Sequence, residues 1–298
     1  MKTFLYKAFI ILVSIVIIDV VVGYVSRYTL AQLPPSNANV PHTVNSLMKE
    51  KTDILILGAS KAKHGIDPKM LNKHFQMDCY NAGEDGMDMF FYNLILQGML
   101  SRSTPKMVIV DMAPLSLNNT PSVPKYLYGL SLTVDKYAKQ INTWLENLKL
   151  KSNLYRYNNF FPLLINTLRG QNSGKDGYTP LDGEYTRAVL VPSDKLDVNT
   201  IEQQSLDELV RTCKTKHIEL YMYISPCHYH NNKLFNAYLK KYCKENDVHF
   251  RDMSEDENYL TTKYYKDRDH LNRIGAERFT QDIIRDIKAC RQDWERFL

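Results

Sequence analysis

Cysteine is sparse in this chain of 298 residues: Cys79, Cys213, Cys227, Cys243 and Cys290 are odd in number and widely spaced. No C-x-x-C pair occurs, which argues against a structural zinc site and leaves isolated buried thiols as the expected state. Long blocks of Lys or Arg are also missing. The formal net charge of +5 is spread along the sequence, so no nucleic-acid partner is expected. Neither internal repeats nor low-complexity tracts occur, so the pattern of an array or a disordered tail is absent. No cofactor is implied by anything in the composition.

What is present is ordinary globular composition, 44% hydrophobic and 24% charged, with ample material for a core. The N-terminus departs from it. Ala8 to Tyr24 reads AFIILVSIVIIDVVVGY, almost wholly apolar, and approaches the roughly 20 residues that cross a bilayer. Lys2 and Lys7 precede it and Arg27 follows, which favours a cytoplasmic N-terminus. Residues 1–28 therefore read as an uncleaved signal anchor, with the rest of the chain on the extracytoplasmic side of the cytoplasmic membrane. Asp19 is out of place in a lipid-facing helix, where it costs roughly a few kcal/mol; it faces a partner helix or lies near the interface. Residues 29–50, rich in Pro and Asn over Gln32 to Asn45, read as a linker.

From residue 51 to 298 short apolar runs alternate with amphipathic stretches. Ile54–Leu57, Cys79–Asn81, Met107–Asp111, Ile218–Ile224 and Val248–Phe250 read as strands. Met87–Leu100, Ser205–Thr215, Asn232–Asn246 and Arg273–Ala289 read as helices. This alternation predicts an α/β fold with a mostly parallel, five-stranded sheet covered on both faces. About 113–197 breaks the pattern. It is rich in aromatic and polar residues and reads as a partly helical insertion, either lying over the carboxyl edge of the sheet or forming a helical subdomain of its own.

Two places carry chemistry. Ser60 follows the first strand in Leu57-Gly58-Ala59-Ser60. A strand–glycine–helix turn there sets a hydroxyl at the carboxyl end of the sheet and leaves backbone N–H groups to hold an oxyanion. Near the other terminus, Asp267-Arg268-Asp269-His270 places a carboxylate and an imidazole three residues apart in a loop before the last helix. Such a carboxylate can fix the imidazole tautomer and stabilise the imidazolium during proton transfer.

Together the two blocks resemble the SGNH (GDSL-like) hydrolase superfamily, with Gly58-Ala59-Ser60 in the position of its G-D-S block and Asp267-x-x-His270 in that of its D-x-x-H block. Leu271-Asn272 stands where H-P-N is usual. The resemblance implies a three-layer α/β/α, flavodoxin-like domain with Ser60 as nucleophile, His270 as base and Asp267 as its orienting acid. Tyr80 to Gly86 is similar to the block after the second strand, which gives Gly86, or Gly83 in a shifted register, a backbone oxyanion role beside Ser60. The G-x-N-D block is not matched. Leu115 stands where its Asn donor should fall, and such a donor is worth on the order of a hundredfold or more in rate; Ser116 and Asn118 are candidate substitutes.

Membrane-anchored relatives lacking that block, the D-alanyl and O-acetyl transfer proteins of cell-surface polymers, offer a looser likeness. It implies an acylated glycan or lipid as substrate, hydrolysed or transferred, and a membrane-bound O-acyltransferase as partner. A non-catalytic glycan-binding or assembly protein is the rival expectation. His228 and His230, after the fourth strand, read as substrate contacts rather than metal ligands. His64, four residues past Ser60 on the helix that starts there, reads as a solvent-facing residue or as one that touches the site, and Asp111 as a residue orienting the first loop or capping the next segment.

Overall fold

The computed structural model describes residues 1–118, 120–162, 165, 174–185, 196–227 and 232–296. The strands are β1 (Ile54–Gly58), β2 (Cys79–Asn81), β3 (Met107–Asp111), β4 (Glu219–Ile224) and β5 (His249–Asp252). All pair in parallel, in the order β2-β1-β3-β4-β5. This is the doubly wound 2-1-3-4-5 order, whose direction of winding reverses between β1 and β3.

The helices preceding β3 are α1 (Lys2–Gln32), α2 (Asn39–Met48), α3 (Ser60–Gly65), α4 (Pro68–Phe75) and α5 (Met89–Leu100). After β3 come α6 (Leu115–Asn118), α7 (Leu132–Ile141), α8 (Trp144–Lys149), α9 (Asn153–Arg156), α10 (Thr200–Thr215), α11 (Lys233–Glu245) and α12 (Arg273–Arg296). The strands alternate between two apolar layers, as period-two side chains require. Leu55, Leu57, Val108, Val110 and Met222 meet α5, α10 and α11 on one face. Ile54, Ile56, Met107, Ile109 and Tyr223 meet α3, α4 and α12 on the other. The expected three-layer α/β/α arrangement and its five strands are therefore present. Helix ends shifted most: α10 starts at Thr200, five residues ahead of the reading from periodicity, where the Asn199 side chain accepts the Ile201 N–H.

The expected linker over 29–50 needs correction. α1 runs on to Gln32, and α2 is a buried helix packed against α5. Its Pro41 lies in the first turn, where proline is tolerated. Val40, Val44 and Leu47 supply a helical i, i+4, i+7 stripe buried in the core. Polar composition hid that stripe.

The described part of the insertion goes two ways. α7 packs on α5, and α9 on α1. Residues 174–185 instead run beside α3 and the start of α12, with Thr179 N–H donating to the Lys63 carbonyl and Arg273 N–H to the Leu181 carbonyl.

Asp19, the carboxylate inside α1, is not bare. It accepts Ser152 Oγ at 2.6 Å, Asn153 Nδ2 at 2.9 Å and the Leu154 N–H at 2.9 Å.

Candidate active site

β1 ends at Gly58 with φ +153, and a Cβ there would overlap Ala62 and press on the Asp111 carbonyl at 3.0 Å. Only glycine fits, and the chain turns at once into α3 with Ser60 as its first residue. That position is the reversal point of the sheet, where α/β folds place their ligands. No side chain caps the start of α3. Its first N–H groups, Ser60 included, have no partner within the helix.

His270 arrives from the loop before α12. Its Nε2 is 2.8 Å from Ser60 Oγ, and its Nδ1 is 3.0 Å from each oxygen of Asp267. Asp267 Oδ1 also accepts the N–H groups of Asp269 and His270 at 2.9 and 3.0 Å. Burial pushes the Asp267 carboxyl up, but the Asp269 amide and the His270 imidazole outweigh it and hold the group below the ordinary carboxylate range. The loop is clamped on both sides. Tyr265 and Leu271 form an antiparallel bridge, and Lys266 N–H donates to the His270 carbonyl at 2.9 Å. Asn272 Nδ2 donates to the carbonyls of Gly183 and Lys263, while Asn272 Oδ1 accepts the Gly275 N–H at the start of α12. The Leu-Asn pair after His270 is thus structural, with Leu271 in the core.

A polar cluster that sequence reasoning missed stands beside the three residues. Lys63 is buried and donates to Glu84 Oε1 at 3.2 Å and Asp85 Oδ2 at 2.8 Å. Glu84 accepts Thr43 Oγ1 at 2.9 Å, and His42 links the Gly83 carbonyl to the Tyr80 hydroxyl. His64 is not solvent-facing, because its ring meets that of His270 edge to face at 5.8 Å between centroids. Its Nδ1 lies 2.5 Å from the Thr179 carbonyl and its Nε2 3.2 Å from Asp85 Oδ1. Burial raises the Asp85 carboxyl, but His64 and Lys63 outweigh it and hold the group low. The available signal was spacing: Lys63 and His64 lie three and four residues past Ser60, one helical turn along the same side.

The expected oxyanion donors divide. The Gly83 N–H is spent on Asn81 Oδ1 at 2.9 Å, so the shifted register loses its donor. Gly86 is exposed at φ +71 in the turn closed by Met87 N–H on the Glu84 carbonyl. Among the described residues its N–H has no partner. Leu115 and Ser116 open α6 after β3. With its amide nitrogen facing them, Asn118 donates to the carbonyls of Asp197 and Pro114, so it is engaged in closing that loop. Asp111 accepts the Ser225 N–H at 3.0 Å and ties β3 to the loop after β4. Burial pushes its carboxyl up to about 6, against the pull of Lys61. His228 and His230 lie outside the described residues.

Away from this edge, His249, Asp286 and Cys290 bring ligand atoms within 4.8 Å of one another. Asp286 there also accepts Arg251 Nη1 and the Tyr223 hydroxyl, so a divalent cation would share its carboxylate with a guanidinium.

Neither a protein-family model nor a curated protein matches the chain. Among solved structures it is similar to an acetyl xylan esterase at 11% identity, over 77% of this chain and 97% of that one, with a TM-score of 0.39. It is also similar to a GDSL-like lipase from Bacteroides thetaiotaomicron at 10% identity, over 87% and 95%, with a TM-score of 0.37. Likenesses this distant say nothing of substrate. The sheet order, the serine after β1 and the Asp-x-x-His before the last helix are features of the chain itself. The fold is a three-layer α/β/α arrangement with a parallel five-stranded sheet.

Proposed function

We propose that this protein is an extracytoplasmic, membrane-anchored serine esterase or O-acyltransferase acting on acyl esters of cell-surface glycans or lipids. The observation that carries the reading is the unbroken contact from the Asp267 carboxylate through His270 to Ser60 Oγ, with 3.0 and 2.8 Å steps. A carboxylate held ionised fixes the imidazole with its proton on Nδ1, so Nε2 accepts the hydroxyl proton as Ser60 attacks the ester carbonyl. The oxyanion that forms is met by the N–H groups of Ser60 and Gly86. Collapse breaks the ester C–O bond and returns the proton from His270 to the departing alcohol, leaving an acyl group on Ser60. Water or a sugar hydroxyl, deprotonated by His270, then attacks the acyl-enzyme and frees the serine.

α1 supports the anchoring part, since it is long, apolar and carries exposed Phe9, Leu12, Val16 and Val20 along its length. A membrane-bound O-acyltransferase fits this reading as the source of acyl groups for transfer.

One observation favours a non-catalytic glycan-binding or assembly role: Leu115 opens α6 where a donor Asn is expected, and Asn118 is engaged in its own loop. A serine-directed fluorophosphonate separates the readings. Labelling of the parent and none of Ser60→Ala is the expected result, whereas equal labelling of the two, or none of either, favours the binding module.

A further inference from the structure

Resting on the membrane-anchored reading of α1, we propose that the α8–α9 region is a second membrane contact, seated among the headgroups and upper acyl chains of the bilayer that α1 crosses. Three observations converge on it. The first is depth. Asp19 lies five residues before Tyr24, the outer end of the apolar run, so about 8 Å along the helix at 1.5 Å per residue, in the outer part of a hydrocarbon layer about 30 Å thick. Beyond Asp19, the exposed rings of Tyr24 and Tyr28 stack at 6.5 Å between centroids, where aromatic side chains favour the membrane–water interface.

The second is the tie between α1 and the insertion. Ser152, Asn153 and Leu154 all donate to the Asp19 carboxylate. Arg27 Nη1 donates to Asn153 Oδ1 at 3.2 Å. At Gly23 a side chain would run into Asn153, so the glycine permits the close approach. These contacts hold the start of α9 at the depth of Asp19.

The third is the surface so held. Trp144 is 77% exposed, and Leu145, Leu148 and Leu154 are exposed beside it. Trp144 and Leu148 stand one turn apart on the same side of α8. Clustered exposed apolar side chains of this size mark an interaction surface. Lys149 and Lys151 are exposed where α8 ends, as cations facing lipid phosphates would be. The surface shares its level with the lipid-facing residues of α1, which selects the bilayer as its occupant. A domain held at two points has a fixed tilt, so its active-site edge keeps one height above the lipid.

The chain has two tryptophans, Trp144 and Trp294, which permits a direct test. Full-length Trp294→Phe protein is reconstituted into phosphatidylcholine–phosphatidylglycerol vesicles with or without bromine on the acyl chains. Trp144 emission is expected to fall at least twofold with brominated lipid. A Phe9→Trp, Trp144→Phe, Trp294→Phe protein reports on α1 in the same vesicles. Quenching at position 9 without quenching of Trp144 overturns this proposal alone and leaves the surface to water or a protein partner. Loss of quenching at both overturns the anchored reading and this proposal with it.

Discussion

Two aspartates in this molecule are satisfied in nearly the same way and lie in regions of different kinds. Asp267 accepts two backbone N–H groups and an imidazole. Asp19 accepts one backbone N–H, a hydroxyl and an amide. Each holds the start of a turn by the chemistry of a helix cap. The difference lies at the far end of the donors. The imidazole on Asp267 has a second nitrogen that reaches Ser60 Oγ, while the side chain of Asn153, on Asp19, passes to Arg27 and Arg156. A capped carboxylate thus becomes part of a proton path when its donor titrates and touches a nucleophile. Otherwise it is a fastener.

The largest expected effect tests that distinction directly. Asp267→Asn keeps the shape and loses the charge that fixes the His270 tautomer. Turnover of a chromogenic short-chain acyl ester is expected to fall about a thousandfold, with the melting temperature nearly unchanged. Full activity in Asp267→Asn would reduce Asp267 to a fastener like Asp19.

Glu84 extends the comparison to a carboxylate facing a buried cation. Burial pulls the Lys63 ammonium pKa down, but Glu84 and Asp85 more than offset this and raise it. Lys63→Met would leave the buried Glu84 without its cation, and is expected to cost about 3–5 kcal/mol in urea unfolding. A cost under 1 kcal/mol would mean that Thr43 and His42 suffice to hold Glu84.

Asp19→Ala is the next step down. Losing the cap leaves the Ser152, Asn153 and Leu154 donors short of an acceptor, about 1–3 kcal/mol of local stability. Trypsin cleavage after Lys151 and Arg156 in detergent is expected to speed up about tenfold, with hydrolysis of a small soluble ester unchanged. An equal fall in ester hydrolysis would join the two regions that the comparison separates.

Much of this arrangement was legible in the sequence because its signals are local. Ile54–Leu57 and Met107–Asp111 declare themselves as buried strands by continuous apolar runs, and Ser60 and His270 by what surrounds them. Other features depend on contacts distant in sequence. His42 touches Gly83 and Tyr80 only because α2 folds back into the core, and polar composition made α2 look like a linker. Lys63 and Glu84 look like surface charges until the β1 and β2 loops bring them together. Asp19 was visibly misplaced, yet its partners lie more than 130 residues away.

The smallest effect belongs to a carboxylate that faces another carboxylate. Glu202 of α10 is buried, accepts the Phe90 N–H at 2.9 Å and lies beside Asp88, the residue that caps α5. Burial first, and the neighbouring Asp88 second, push the Glu202 carboxyl well above its ordinary 4.5. The folded protein then keeps a proton that the unfolded chain releases. Stability therefore falls as pH rises above the unfolded value and levels off once the folded group ionises. Glu202→Gln keeps the acceptor for Phe90 and removes the titration. At about pH 8 it is expected to be more stable than the parent in melting temperature, with the gain shrinking toward pH 5. A gain independent of pH would mean that Glu202 is ionised throughout. Its difference from Asp267, which ionises because donors surround it, would then disappear.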